Sequence, residues 1–100
     1  MLAPTFDLSR HARKRCQQRC VSHALVGLVL LHADRREFVG GGVQASMITR
    51  KRLKRLGQGM GAGESERLRN LVVLHHPAAR AVVSVLWADG KAARRYRRHT

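Results

Sequence analysis

The sequence predicts an α+β fold, with N-terminal helices packed on a small antiparallel sheet. Three observations carry that expectation. Helix-like segments come first, between residues 9 and 33. Val/Leu-rich runs come later, ending at Trp87. No regular strand–helix–strand alternation links them, which argues against a parallel sheet. The 100 residues suffice for one domain, and the 44% hydrophobic content supplies a core. Aromatics are only 4%, so that core must be built from Val, Leu and Ala.

Residues 1–8 contain a proline and no periodicity, and read as a flexible leader before a single basic domain over 9–100. Ser9 is a suitable N-cap for a polar helix from Arg10 to Arg19, in which Ala12 and Cys16 are small apolar residues spaced i, i+4. Ser22 caps a second helix, His23 to Ala33. It is apolar nearly all round and therefore buried; its length and alanine content favour helix over a buried strand. Glu37-Phe38-Val39 and Val43 to Ile48 read as short strands around the turn Gly40 to Gly42. Thr49 can cap a basic helix from Arg50 to about Leu56. Four glycines between Gly57 and Gly63 indicate a loop, and no GK[ST] follows to make it a P-loop. Asn70 to Leu74 and Ala81 to Trp87 read as an antiparallel hairpin bounded by His76-Pro77 and Asp89-Gly90, with a basic tail from Lys91 to Thr100.

Twenty Lys+Arg face six Asp+Glu, a formal charge of +14. A folded domain so charged repels itself until something anionic binds. The cations cluster: Arg10, Arg13, Lys14, Arg15 and Arg19; then Arg50, Lys51, Arg52, Lys54 and Arg55; then Lys91, Arg94, Arg95, Arg97 and Arg98. Arg35, Arg36, Arg67, Arg69 and Arg80 are scattered. Arg dominates Lys, and its planar fork matches phosphate in two-point contacts, so nucleic acid is favoured over an acidic protein or mere solubility. No apolar run approaches the ~20 residues a bilayer needs. The N-terminus lacks a signal-peptide pattern, and two cysteines make no secreted disulfide scaffold, so the expectation is cytoplasmic with no membrane partner.

The residue inventory narrows the chemistry. His11, Cys16, Cys20 and His23 are zinc-ligand types, but their spacing matches no familiar finger. The carboxylates Asp7, Asp34, Glu37, Glu64, Glu66 and Asp89 are too dispersed for a two-metal nuclease. No G-x-S-x-G turn supports a serine hydrolase. His, Arg, Lys and Tyr remain, and they suit metal-free RNA cleavage: the 2′-hydroxyl attacks its own phosphate while the protein supplies a base, an acid and cations. His11, His75, His76, His99 and Tyr96 are the candidates; His75 and His76, beside a proline turn, could equally be exposed polar residues. His23 and His32 sit at helix edges with no assigned role.

Residues Ser9 to Val21, SRHARKRCQQRCV, resemble the opening of a small bacterial domain family of unknown function whose members begin HA-x-x-R-x-x-x-R-G-I. His11, Ala12, Arg15 and Arg19 match, and Val21 stands where Ile is usual. That family is distantly similar to RelE/ParE/BrnT-type toxins of barnase-like α+β fold. The resemblance implies an RNA-binding protein, a metal-independent toxin-type endoribonuclease without a cofactor, and an acidic antitoxin-like partner. In that reading His11, Arg15 and Arg19 form one wall of the site. Arg95, Arg97 and Arg98 neutralise phosphate, Tyr96 or His99 donates a proton, and Lys51, Arg52 and Arg55 extend the nucleic-acid contact. Cys20 departs from the pattern at the family's glycine, a helix C-terminus that favours φ > 0. A structural role for the motif is the competing reading, with Arg15 paired to Asp7 or Glu37. The rival function is a non-enzymatic module for RNA, ribosome or DNA, or a domain docking an acidic protein. Few aromatics argue against base-stacking recognition of the OB or RRM kind.

Overall fold

A computed structural model describes residues 6–56 and 62–88, apart from the side chains of Ala62 and Glu64. In chain order the elements are β1 (Asp7–Leu8), α1 (Arg10–Gln18), α2 (His23–His32), β2 (Arg35–Gly40), β3 (Val43–Met47), α3 (Arg50–Leu56), α4 (Ala62–Asn70), β4 (Leu71–His76) and β5 (Ala81–Trp87). The five strands form one sheet in the order β1-β5-β4-β3-β2. All pairs are antiparallel except β1 with β5. The fold is therefore α+β.

Each of the first two helices starts on a serine. Ser9 Oγ accepts from the Ala12 amide at 3.0 Å and Ser22 Oγ from the Leu25 amide at 3.1 Å, satisfying donors a helix leaves open. Helix α1 ends in a Schellman motif. The Val21 amide donates to the Cys16 carbonyl at 2.8 Å and the Cys20 amide to that of Gln17 at 3.4 Å, with Cys20 at φ 55. Ala12 and Cys16 are buried, and these small residues let α1 lie against β5. Leu25, Val26 and Val29 of α2, Leu53 of α3 and Leu68 of α4 cover the same sheet face, meeting Ile48, Leu71, Val73, Val82 and Val85. On the opposite face Ala45, Met47 and Val72 form a smaller cluster with Leu74 and Leu86.

Three expectations need correction. Residues 6–8 are not a flexible leader: the Asp7 amide donates to the Arg80 carbonyl at 2.9 Å, the strand β1 adds to the sheet edge, and Phe6 packs on the core, while residues 1–5 lie outside the described residues. Gly63 is not in a loop but in α4, a helix the glycine run conceals; residues 57–61 lie outside the described residues. Asn70 closes α4 instead of opening a strand. The Asp89-Gly90 turn and the basic tail also lie outside the described residues. Among the described residues no helix is long and apolar enough to cross a membrane.

Candidate functional site: a cationic cavity on the sheet face

Strand register gathers one row of side chains across the helix-facing side of the sheet. Phe38 pairs with Gln44, Gln44 with His75 and His75 with Val82. The adjacent row begins with Arg36 opposite Ser46. Between Leu74 and His75 the register to β5 shifts, so that Val83 is an extra residue there. Such bulges re-aim neighbouring side chains. A cavity of about 540 Å³ opens at this place, within the range of small-ligand sites. Its apolar wall is Phe6, Leu30, Pro77 and Val82; its polar groups are Arg36, Gln44, His75 and Arg80. Among the described residues no carboxylate lines it.

The polar groups are held in distinct ways. His75 is half-buried, and its Nε2 lies 2.8 Å from the hydroxyl of Ser46, a fully buried polar residue within the sheet. Burial of the ring lowers its pKa below the ordinary 6.5, and the nearby charges of Arg36 and His76 push the same way. His75 is thus a neutral imidazole near pH 7. Arg36 gives one N–H to the Leu30 carbonyl at 3.4 Å, at the last turn of α2. Arg80 ends the turn from β4 to β5 at φ 51, and its guanidinium makes no hydrogen bond or ion pair among the described residues.

The α1 motif is placed differently from the sequence reading. His11 is exposed and its Nε2 accepts from Arg15 Nε at 3.3 Å, while Arg15 also reaches Gln18 Oε1 at 2.9 Å. Arg15 does not pair with Asp7 or Glu37; Glu37 binds Arg35 at 2.9 Å. Neither His11 nor Arg15 lines the cavity. Arg19, expected on nucleic acid, is committed to the fold: its guanidinium donates to the Val85 carbonyl at 2.6 Å, and its own carbonyl accepts from the Trp87 indole at 3.1 Å. Arg67 stacks on Trp87 at 5.3 Å and donates to the Cys20 carbonyl, closing this corner. Cys16 is buried and its thiol pKa is raised by desolvation, so it is an inert core residue.

Lys51, Arg52 and Arg55 do come together, around a second cavity of about 300 Å³ with His32 and Asp34. Asp34 is occupied structurally, accepting from the Thr49 hydroxyl at 2.5 Å and amide at 2.8 Å. Partial burial pushes its pKa up, but the Thr49 hydrogen bonds and Arg52 outweigh this and hold it below 3.8. Tyr96, His99, Arg95, Arg97 and Arg98 lie outside the described residues. Arg36, Arg80, Gln44 and Ser46 were not singled out in the sequence; strand alternation alone could have put Arg36 and Phe38 on one face. Comparison with models of protein families, with curated proteins and with solved structures finds no match.

Proposed function

We propose that the protein binds RNA, seats a phosphodiester in the Arg36–His75–Arg80 cavity and cleaves it without a metal ion. One observation carries this: a half-buried histidine whose pKa is lowered by burial shares a cavity with two arginines and, among the described residues, no carboxylate. Two arginines without an acid among the described lining residues are matched to a phosphate, and with no carboxylate among them and two guanidiniums beside it, the amide oxygen of Gln44 is a poor hold for a divalent cation. With Nε2–H donated to Ser46, the Nδ1 lone pair of His75 takes the proton of the 2′-hydroxyl. That oxygen attacks phosphorus, the P–O5′ bond breaks, and the products are a 2′,3′-cyclic phosphate and a 5′-hydroxyl, whose proton comes from water. Arg36 and Arg80 neutralise the charge that builds on the phosphoryl oxygens. The formal charge of +14 and the exposed cations of α1 and α3 supply the longer-range pull on the strand. The likeness of Ser9 to Val21 to the toxin-related family, including Cys20 at φ 55 where that family has glycine, supports a RelE-like architecture and an acidic protein partner.

Labelled RNA incubated with the pure protein in excess chelator tests the reading. Fragments ending in a 2′,3′-cyclic phosphate are expected, and a substrate with 2′-deoxyribose at every position should stay whole. His75→Ala should slow cleavage ~100- to 10,000-fold, the usual contribution of a general base. Cleavage that stops in chelator, or that His75→Ala leaves unchanged, rules the mechanism out.

A further inference from the structure

We propose that Phe38 is the stacking platform for one unpaired nucleobase of the strand whose phosphate occupies the cavity; this rests on the phosphate-binding reading above. Phe38 is 72% exposed, in a protein with few aromatics, and belongs to neither core cluster. An exposed apolar ring on an edge strand is a liability that edges normally avoid with charge or proline. Its position is specific. Phe38 lies opposite Gln44, which lines the cavity, and Gln44 lies opposite His75. The ring is therefore in the same cross-sheet row as the proposed base, about 10 Å from it at two strand spacings. Arg36, two residues earlier on the same face of the strand, lines the cavity and so puts a cation on the ring's side of the sheet. The register shift at Val39 and the positive φ values of Gly40, Gly41 and Gly42 turn the chain sharply beyond the ring.

Charge decides the occupant. A second copy of this chain carries the same +14 and is repelled from a patch flanked by Arg36, whereas a nucleotide brings its own negative charge to that side. A base already stacked in a duplex cannot reach the ring, so the ligand is single-stranded. One such platform differs from the multi-aromatic faces of single-strand binders, and reconciles few aromatics with base contact at one position.

The test uses the full chain and three probes: a short single-stranded RNA, the same sequence as a duplex, and an abasic sugar–phosphate oligomer of equal length. Phe38→Ala should weaken single-stranded RNA binding ~5- to 100-fold, the span of a lost base–aromatic stack, with the abasic oligomer and the melting temperature unchanged. Phe38→Trp should retain the affinity. Equal losses on RNA and abasic oligomer, or no loss on either, overturn the platform. A Phe38→Ala protein that sediments as a smaller species than the parent also overturns it, because the ring is then a self-interface. Failure of the parent protein to bind the abasic oligomer marks instead the failure of the phosphate reading.

Discussion

Cys20 and Arg80 both hold the left-handed conformation without being glycine, at φ 55 and 51. An L-residue there costs roughly 1–2 kcal/mol, so each position asks why glycine is absent. Cys20 is C′ of the Schellman motif; its place was legible because the family pattern that Ser9 to Val21 resembles carries glycine where this chain has Cys20. Arg80 was not legible, since the turn Pro77-Ala78-Ala79-Arg80 contains no glycine to mark the strained residue. Strain persists where a side chain is needed, and Arg80 lines the cavity. Arg80→Gly should therefore stabilise the fold by about 0.5–1 kcal/mol, read as a melting temperature higher by roughly 2–8 °C. The same variant should lose RNA affinity ~10- to 100-fold, as expected for a hydrogen bond to a charged group. Cys20→Gly is the control: similar stabilisation, unchanged affinity. A destabilised Arg80→Gly would place that guanidinium in the fold and out of the site.

Helix α1 works as a seal. Strand β1 is two residues long and covers only the start of β5, leaving carbonyls exposed along a sheet edge. Ser9 Oγ reaches the Val83 carbonyl at 3.5 Å, and Arg19 serves that of Val85 at 2.6 Å. The motif that suggested a binding wall is in large part this seal: Ala12, Cys16 and Val21 are core, and Arg19 is spent on backbone. Sequence spacing could put His11, Arg15 and Arg19 on one face of a helix but could not say which strand lies beneath them. The hairpin of β4 and β5 was legible because its runs of Val and Leu bury on both faces. Helix α4 was not, since Leu68 is its single buried core residue among the described side chains and charges surround it. His75 was legible as a residue type, but Arg36, Gln44 and Ser46 reach its cavity only through strand register, and Arg80 only through the turn from β4 to β5. Arg19→Ala should cost about 1–3 kcal/mol by orphaning the Val85 carbonyl, with RNA affinity unchanged well below the melting temperature. Lost affinity in a variant of unchanged stability would return Arg19 to the binding surface.

At the scale of the whole molecule, the cavity histidine couples stability to pH. His75 is neutral in the fold because burial, then Arg36 and His76, lower its pKa below 6.5. The unfolded chain holds this proton more tightly, so between 6.5 and the lowered folded value it binds more protons than the native state. Stability from this group is therefore complete above pH 6.5 and is lost as pH falls through the folded value, after which protonation of the native ring ends the slope. Asp34 obeys the same sign in a separate, more acidic window, below its ordinary 3.8. Acidification also adds positive charge to a chain already at +14, a repulsion that salt screens. Desolvation of His75, its principal cause, is not screened in that way. Melts from pH 8 to pH 5, at low and high salt, separate the two. The parent protein should lose stability on acidification at both salt levels. His75→Gln, which keeps a hydrogen-bonding group near Ser46 but cannot titrate, should show a flatter profile, most clearly at high salt. The acidic limb of RNA cleavage should lie below pH 6.5 for the same reason, because the base stays deprotonated to lower pH. Parallel stability profiles for parent and His75→Gln would mean that the ring is solvated, and with it the proposed base would lose the desolvation that sets it apart from an ordinary surface histidine.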